Sequence, residues 1–399
     1  MESPMSIEER FFLQILSDFL HNRSTQPFSA SLDWNLISRL AKEQQVEGIL
    51  FTQCQSFIPP SHFSRLAQGY SKTLFYYANR AALLDEITTI MKDESIPYFL
   101  VKGFTIAKLY PTPALRTMGD IDFVVHKDVK ERIHTILLNL GFECHSQYDQ
   151  EWCYFKNKME IEIHHALLYD NAATLNTHRT FINDCWSYVH ENELDWNIHF
   201  IFLLLHLHKH IMYSGAGFRQ FMDLAVVIQQ INTLNWDWIY TTLSNLGLDE
   251  TARTWFGLIA IWFDIHAPEA ASLSDGQIKK VTEKIFANGV FGFHDKKNQN
   301  NQSFNAIYTS RYPQLKMLQR TLLVFFPSYD AVCHIDHYSF VKGKKWLLPA
   351  VWIYRAFRGI RHDGIQRIKA LLKSSLISSK VFKKKKQVLE NFGIKGEHK

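Results

Sequence analysis

Asp120 and Asp122 flank a single isoleucine in the stretch GDIDFVV. In a strand, residues i and i+2 point to the same side. Two carboxylates set there repel one another unless a cation neutralises them. Together they offer hard oxygen ligands suited to Mg²⁺, with Mn²⁺ as the nearest substitute. One or two carboxylates, completed by substrate phosphates, is how many phosphoryl-transfer sites hold Mg²⁺. A third acid comes from MEIEIHH, whose alternation puts Glu160, Glu162 and His164 on one strand face. If that strand lies beside DIDFVV, a glutamate reaches the same metal, and Glu162 is the preferred one. Its chemistry would be to orient or deprotonate an attacking hydroxyl. Lys102 and Gly103 supply complementary charge and a close backbone approach, and Arg116 precedes the acids on a loop where it could hold a phosphate oxygen.

These residues need elements to position them. YFLVKG reads as a short buried strand closed by glycine, and DIDFVV as a second strand. FTIAKLY is a short helix between them, stopped by PTP, whose N-terminus suits phosphate. KDVKERIHTILLNLG reads as an amphipathic helix with Gly141 at its end, followed by FECHSQY, WCYFKN and MEIEIHH as strands, the last two joined by a turn at KNK. That order describes a compact α/β unit with a mixed sheet over 95–175. Residues 1–94 before it read as helices. SIEERFF opens with a Ser6/Glu9 capping box, LDWNLISRLAKEQQVEGILF has Asp33 as N-cap with Leu36, Ile37, Leu40 and Ala41 on one helical face, and a long helix ends before Pro97. Residues 176–365 return to helices, with a polar loop at 294–304, and 366–399 form a basic tail.

A lone D-x-D arises often by chance, so the case rests on order and spacing: strand-KG-helix-loop-GDID-strand, then an acid on a later strand. In that order, VKGFTIAKLY…LRTMGDIDFVV…IEIHH resembles the nucleotidyltransferase superfamily with a polymerase-β type palm. More narrowly, it is similar to the bacterial uncharacterised nucleotidyltransferases. Lys102, Gly103, Arg116, Gly119, Asp120, Asp122, Glu162 and His164 match that group position by position. The chain departs from it in two places. Phe104 stands where the superfamily usually has serine or glycine, and His165 where the group often has tryptophan. The likeness continues in HLHKHIMYSGAGFRQFMDLA, through His206, Lys209, His210, Arg219 and Asp223. It implies an α+β fold: a palm flanked by N-terminal helices and a C-terminal helical domain. It also implies transfer of a nucleoside monophosphate from a nucleoside triphosphate such as ATP to a hydroxyl acceptor, with release of pyrophosphate. Asp120, Asp122 and Glu162 would hold the metals. Lys102, Gly103, Arg116, Gly119, His164, Lys209, His210, Arg219 and Asp223 would contact substrate.

On their own spacing, His206 and His210 share a helix face, which fits a metal or polar helix–helix contacts. Arg219 and Asp223 equally fit an i,i+4 ion pair, worth about 0.3–0.5 kcal/mol. The acceptor is open between a small hydroxylated molecule, a glycan precursor and a peptide. A toxin-type enzyme acting on tRNA and a nucleotide-binding module without turnover are the rival readings.

Five cysteines without a CxxC pair or regular spacing suggest reduced thiols and a cytoplasmic protein. The N-terminus carries acids where an export signal needs bases, and no apolar run approaches the ~20 residues of a membrane span. Charge is unevenly spread: net charge is +5, yet Lys342–Lys399 alone carries sixteen Lys/Arg against three Asp/Glu. An acidic body with a basic end suggests that the end meets something anionic, such as nucleic acid or a membrane surface.

Overall fold

A capping box opens the first helix of the computed structural model. Ser6 Oγ accepts from the Glu9 amide at 3.1 Å while Glu9 Oε2 accepts from the Ser6 amide at 2.9 Å. The pair satisfies two amides that the first turn cannot bond internally. The structure describes residues 5–28, 31–147, 151–157, 159–167, 185–213, 215–290, 326–332, 340–341, 343–354 and 379–394. The expected polar loop at 294–304 lies outside them. Two compact units emerge, Met1–Lys296 with Asn391–Ile394, and Lys297–Glu390 with Lys395–Lys399.

In the first unit, α1 (Ile7–Leu20) is followed by α2 (Trp34–Glu43), α3 (Glu47–Cys54) and α4 (Pro60–Asp93). The stretch after Asp33 holds two helices, α2 and α3, with a break between them. Gln45 sits at φ 57°, and the neighbouring Gln44 side chain is fully buried. Gln44 donates to the Ile285 carbonyl and accepts from the Phe218 amide, both at 3.0 Å. Breaking the helix there lets one side chain tie three segments of the core together, against a local preference for helix.

The sheet has the order β1-β2-β5-β4-β3, with β1 (Tyr98–Val101), β2 (Asp120–Val125), β3 (Glu143–Gln147), β4 (Glu151–Lys156) and β5 (Met159–His164). The β2–β5 pair is parallel and the other pairs are antiparallel, so the sheet is mixed and the fold is α+β. A five-residue helix, α5 (Gly103–Ala107), follows β1, and α6 (Lys130–Asn139) crosses between β2 and β3. One sheet face is apolar. Ile121, Phe123, Ile161, Ile163, Trp152 and Tyr154 pack there with Leu83, Ile87 and Met91 of α4 and with Ile133 and Leu137 of α6. The other face carries the acids. This division follows from strict alternation along each strand.

After a small hairpin, β6 (Val189–His190) with β7 (Glu193–Leu194), come α7 (Trp196–Tyr213), α8 (Phe218–Gln230), α9 (Trp236–Asn245), α10 (Asp249–Phe263) and α11 (Asp275–Asn288). The N-terminal helices join this bundle rather than standing apart. Ser17 and His21 bond the Phe263 carbonyl at 3.0 and 2.9 Å, and Phe12 packs against Phe218 and Phe286. Within the basic tail, Ser379–Asn391 is helical. The carbonyls that follow it accept from the bundle: Phe392 from Trp255 Nε1 at 3.0 Å and Gly393 from Thr251 Oγ1 at 2.9 Å.

Candidate active site

The parallel register of β2 and β5 sets Asp120 opposite Glu160 and Asp122 opposite Glu162. Like charges directly across a sheet repel, and here two such pairs follow one another. The β4 register adds Glu151 opposite His164 and Cys153 opposite Glu162. Five carboxylates therefore line one sheet face. Asp122 is nearly fully buried, at 2 % exposed.

Cations answer them. Lys102 Nζ lies 2.6 Å from Asp122 Oδ1, and His164 Nε2 donates to the same oxygen at 3.0 Å. His164 Nε2 is also 3.2 Å from Glu162 Oε2, and its Nδ1 is 3.7 Å from Glu151 Oε2. Burial opposes ionisation of Asp122, but Lys102 and His164 outweigh it and hold this carboxyl well below its usual range. Burial likewise works against charge on His164, and its bonds to Asp122 and Glu162 win, raising it to about 9. Lys102 is desolvated too, yet Asp122, Asp120 and Glu162 keep its ammonium above the ordinary lysine range. The outer acids go the other way. The charge of Asp122, then burial, pushes Asp120 up, and burial with Glu162 and Asp120 lifts Glu160 to about 7.

Oxygen and nitrogen donors of Asp122, Glu162 and His164 lie within 4.8 Å of one another, close enough to share one cation. Hard carboxylate oxygens beside a basic counter-charge that a metal could replace fit a divalent ion. The sequence suggests Asp120 with Asp122 and Glu162. The structure adds His164 beside Asp122 and Glu162, and a second group of Glu151, Cys153 and Glu162, while Asp120 sits one cross-strand pair toward the strand start.

Lys102 owes its position to its backbone. It adopts φ 55° and ψ −130°, rare for a residue with a side chain, and its amide donates to His199 Nε2 on α7 at 3.1 Å. The His199 ring stacks on Trp196 at 5.3 Å, and burial holds it near 3, so it accepts as a neutral imidazole. Gly103 follows at φ 27°, which favours glycine. A side-chain carbon at Gly119, by contrast, would meet nothing within 4 Å. Its carbonyl accepts from Arg80 Nη2 of α4 at 2.9 Å.

Arg116, Arg219 and Asp223 bond within the protein. Arg116 Nε and Nη2 both donate to Asp223, at 2.8 Å each, and the Tyr110 hydroxyl donates to it at 2.8 Å. Arg116 and Asp223 are 6 % and 7 % exposed, so both face protein. Asp223 thus bonds Arg116, 107 residues away in sequence, and its charge also acts on Arg219 one turn before it on α8. Arg219 Nη1 donates to the Thr117 carbonyl at 2.9 Å. Together the two arginines fix the loop that delivers Gly119 and Asp120 to the sheet.

On α7, His210 and His206 approach Nε2 to Nε2 at 2.9 Å. Burial, then the charge of Lys102, pulls both well down, His210 to about 3. Burial and the charge of Lys102 lower Lys209 as well, while Glu151, Glu162 and Asp122 act to raise it. The bond from the Lys102 amide to His199 ties α7 to the end of the strand that delivers Lys102 to the acidic face. Sequence reasoning missed Glu151, Cys153, His199, Tyr110 and Arg80. Alternation in EWCYF, which shares its phase with MEIEIH, could have found the first two.

No curated protein and no solved structure matches the chain. A family model described as uncharacterised nucleotidyltransferase matches residues 30–264, which span α2 to α10 and include every residue of the acidic face. On that match over more than half its length, the chain belongs to the uncharacterised nucleotidyltransferase family.

Proposed function

We propose that the protein is a Mg²⁺-dependent nucleotidyltransferase that moves a nucleoside monophosphate from a nucleoside triphosphate to a hydroxyl acceptor. In this reading residues 95–175 are a polymerase-β type palm, 1–94 and 176–365 form the helical walls around it, and 366–399 are a basic extension. One observation carries it. Two like-charged pairs, Asp120–Glu160 and Asp122–Glu162, stand in consecutive register positions of a parallel pair, with Asp122 buried. A chain selected for stability alone gains nothing from that arrangement. A site that takes up divalent cations and polyphosphate does.

Asp122 and Glu162 would hold the metal, with Asp120 or His164 completing the set. When bound, the metal supplies charge neutralisation for the triphosphate and a Lewis acid at the reacting phosphorus. Lys102 leaves Asp122 and turns its ammonium to the triphosphate, while its anchored backbone stays fixed on His199. Lys209 adds positive charge from α7. Glu162 orients the acceptor hydroxyl and receives its proton as the oxygen bonds the α-phosphorus. The bond from that phosphorus to the bridging oxygen breaks, and pyrophosphate departs with the electron pair.

The test is incubation with each labelled triphosphate, Mg²⁺ or Mn²⁺ and a cell extract, run with the parent and with Asp122→Asn. Label transferred with equimolar pyrophosphate by the parent alone is the expected result. Equal transfer by a folded Asp122→Asn variant would refute the assignment. Nucleotide binding with no pyrophosphate from the parent would leave a binding module instead.

A further inference from the structure

The second unit turns an apolar helix face outward. Residues 348–354 are helical and continue from a single 3₁₀ turn at Lys345–Leu347. Trp346 is 76 % exposed and Ile353 60 %, and Pro349 and Ala350 between them are exposed as well. The spacing 346, 349, 350, 353 places the four on one side of the helix. The opposite side is already used, with Val351 packed on Val332 and Val341 beside Leu347 and Leu348. Trp352 donates to the Pro327 carbonyl at 3.0 Å, which fixes the helix on its unit. Lys344 and Lys345 stand exposed directly before Trp346.

We propose that this face, residues 344–354, docks on an anionic lipid surface and holds the protein in the membrane interface. Three features select that partner. Tryptophan beside aliphatic side chains, flanked by lysines, matches a layer that is apolar below and negatively charged above. The sequence from Lys342 to Lys399 carries sixteen bases against three acids, the charge that anionic headgroups attract. Among the described residues no helix is long and apolar enough to cross a membrane, so the face lies on the bilayer rather than through it. RNA is the weaker partner, because Trp346 is the one aromatic ring among the four outward residues, and Pro349, Ala350 and Ile353 beside it suit hydrocarbon rather than stacked bases. A second copy of this chain is weaker too, since it would bring the same positive charge to the same patch. The inference does not rest on the nucleotidyl-transfer reading. If both hold, an acceptor carried at a membrane surface becomes the favoured class.

The experiment is flotation of the full chain with phosphatidylcholine vesicles, with and without phosphatidylglycerol. Recovery should rise at least about tenfold with the anionic lipid and fall again at high salt. The double variant Trp346→Ser, Ile353→Ser should float poorly while keeping the parent's circular dichroism spectrum, since both side chains face solvent. The variant Lys344→Glu, Lys345→Glu should lose most of its preference for the anionic vesicles. Recovery independent of phosphatidylglycerol would overturn the proposal. So would a serine variant that floats like the parent, or binding to a mixed RNA pool without binding to vesicles. No readout depends on catalysis, so failure of either reading leaves the other standing.

Discussion

Two clusters of buried charge sit close together in the first unit, and they are built on opposite plans. The clasp of Arg116, Asp223 and Tyr110 is a closed pair: one guanidinium meets one carboxylate through two parallel bonds of 2.8 Å, and the Tyr110 hydroxyl donates to the same Oδ1 that Arg116 Nε bonds. The sheet face gathers one sign: Asp120, Asp122, Glu151, Glu160 and Glu162 line the strands, with Lys102 and His164 bonded among them. A closed pair settles geometry, here that of the loop before Asp120. Gathering one sign raises the energy of the metal-free protein and reserves a place for charge from outside.

The contrast is open to attack from both ends, and the clasp should yield the largest effect. Asp223→Asn leaves the Arg116 guanidinium buried without its counter-charge, which should cost about 3–5 kcal/mol of folding stability. Denaturant melts of parent and variant measure it directly. A loss below about 1 kcal/mol would mean that the clasp is solvated and the comparison mistaken. At the sheet face, Asp122→Asn should instead reduce transfer on the order of 10²–10³-fold, the scale on which one preorganised electrostatic group acts. Its stability without metal should fall by less than that of Asp223→Asn, because Asp120 and Glu162 still offset the charge of Lys102, and Glu162 that of His164, once Asp122 is neutral. If the Asp122 variant melts like the Asp223 variant, its carboxylate is structural and the two clusters are of one kind.

How much of this was open to a reader of the sequence depends on distance along the chain. The strands and the side each residue faces follow from alternation in DIDFVV and MEIEIHH, and both capped helix starts follow from Ser6 and Asp33. The pairing of Asp122 with Glu162 required knowing that β5, not β4 or β3, lies beside β2, and strand order is not written in any local pattern. The Arg116–Asp223 bond joins residues 107 apart in sequence, so spacing suggested the nearer partner, Arg219, instead. His199 was invisible for another reason. It stands in an apolar helix with no motif around it, and its role comes from the unusual backbone of Lys102, which no residue type announces. The break at Gln44–Gln45 carries no glycine or proline, and only the buried amide's partners in distant segments explain it.

Metal should sharpen the difference further. At a free Mg²⁺ concentration 100 times its dissociation constant, a single site stabilises the folded state by about 2.7 kcal/mol. The parent and Asp223→Asn should both show that gain in thermal melts, because the clasp holds no metal. Asp122→Asn should show little of it. Equal Mg²⁺ shifts in all three proteins would place the ion elsewhere.

The smallest effect is a pH dependence at the rim of the face. Burial, Glu162 and Asp120 raise Glu160 from an ordinary 4.5 to about 7. The folded protein thus binds this proton more tightly than the unfolded chain does, and stability falls as pH rises wherever the folded state binds more protons. Below 4.5 both states are protonated and the group has no effect; between 4.5 and about 7 the penalty grows, and above that it is complete. Glu160→Gln cannot ionise, so it should match the parent near about pH 4 and melt higher than the parent near about pH 8, without metal. Adding Mg²⁺ should narrow the gap, because the cation offsets the same repulsion that the substitution removes. A variant less stable than the parent at the higher pH would show that Glu160 is held by a favourable contact, and the face would then be a closed cluster like the clasp.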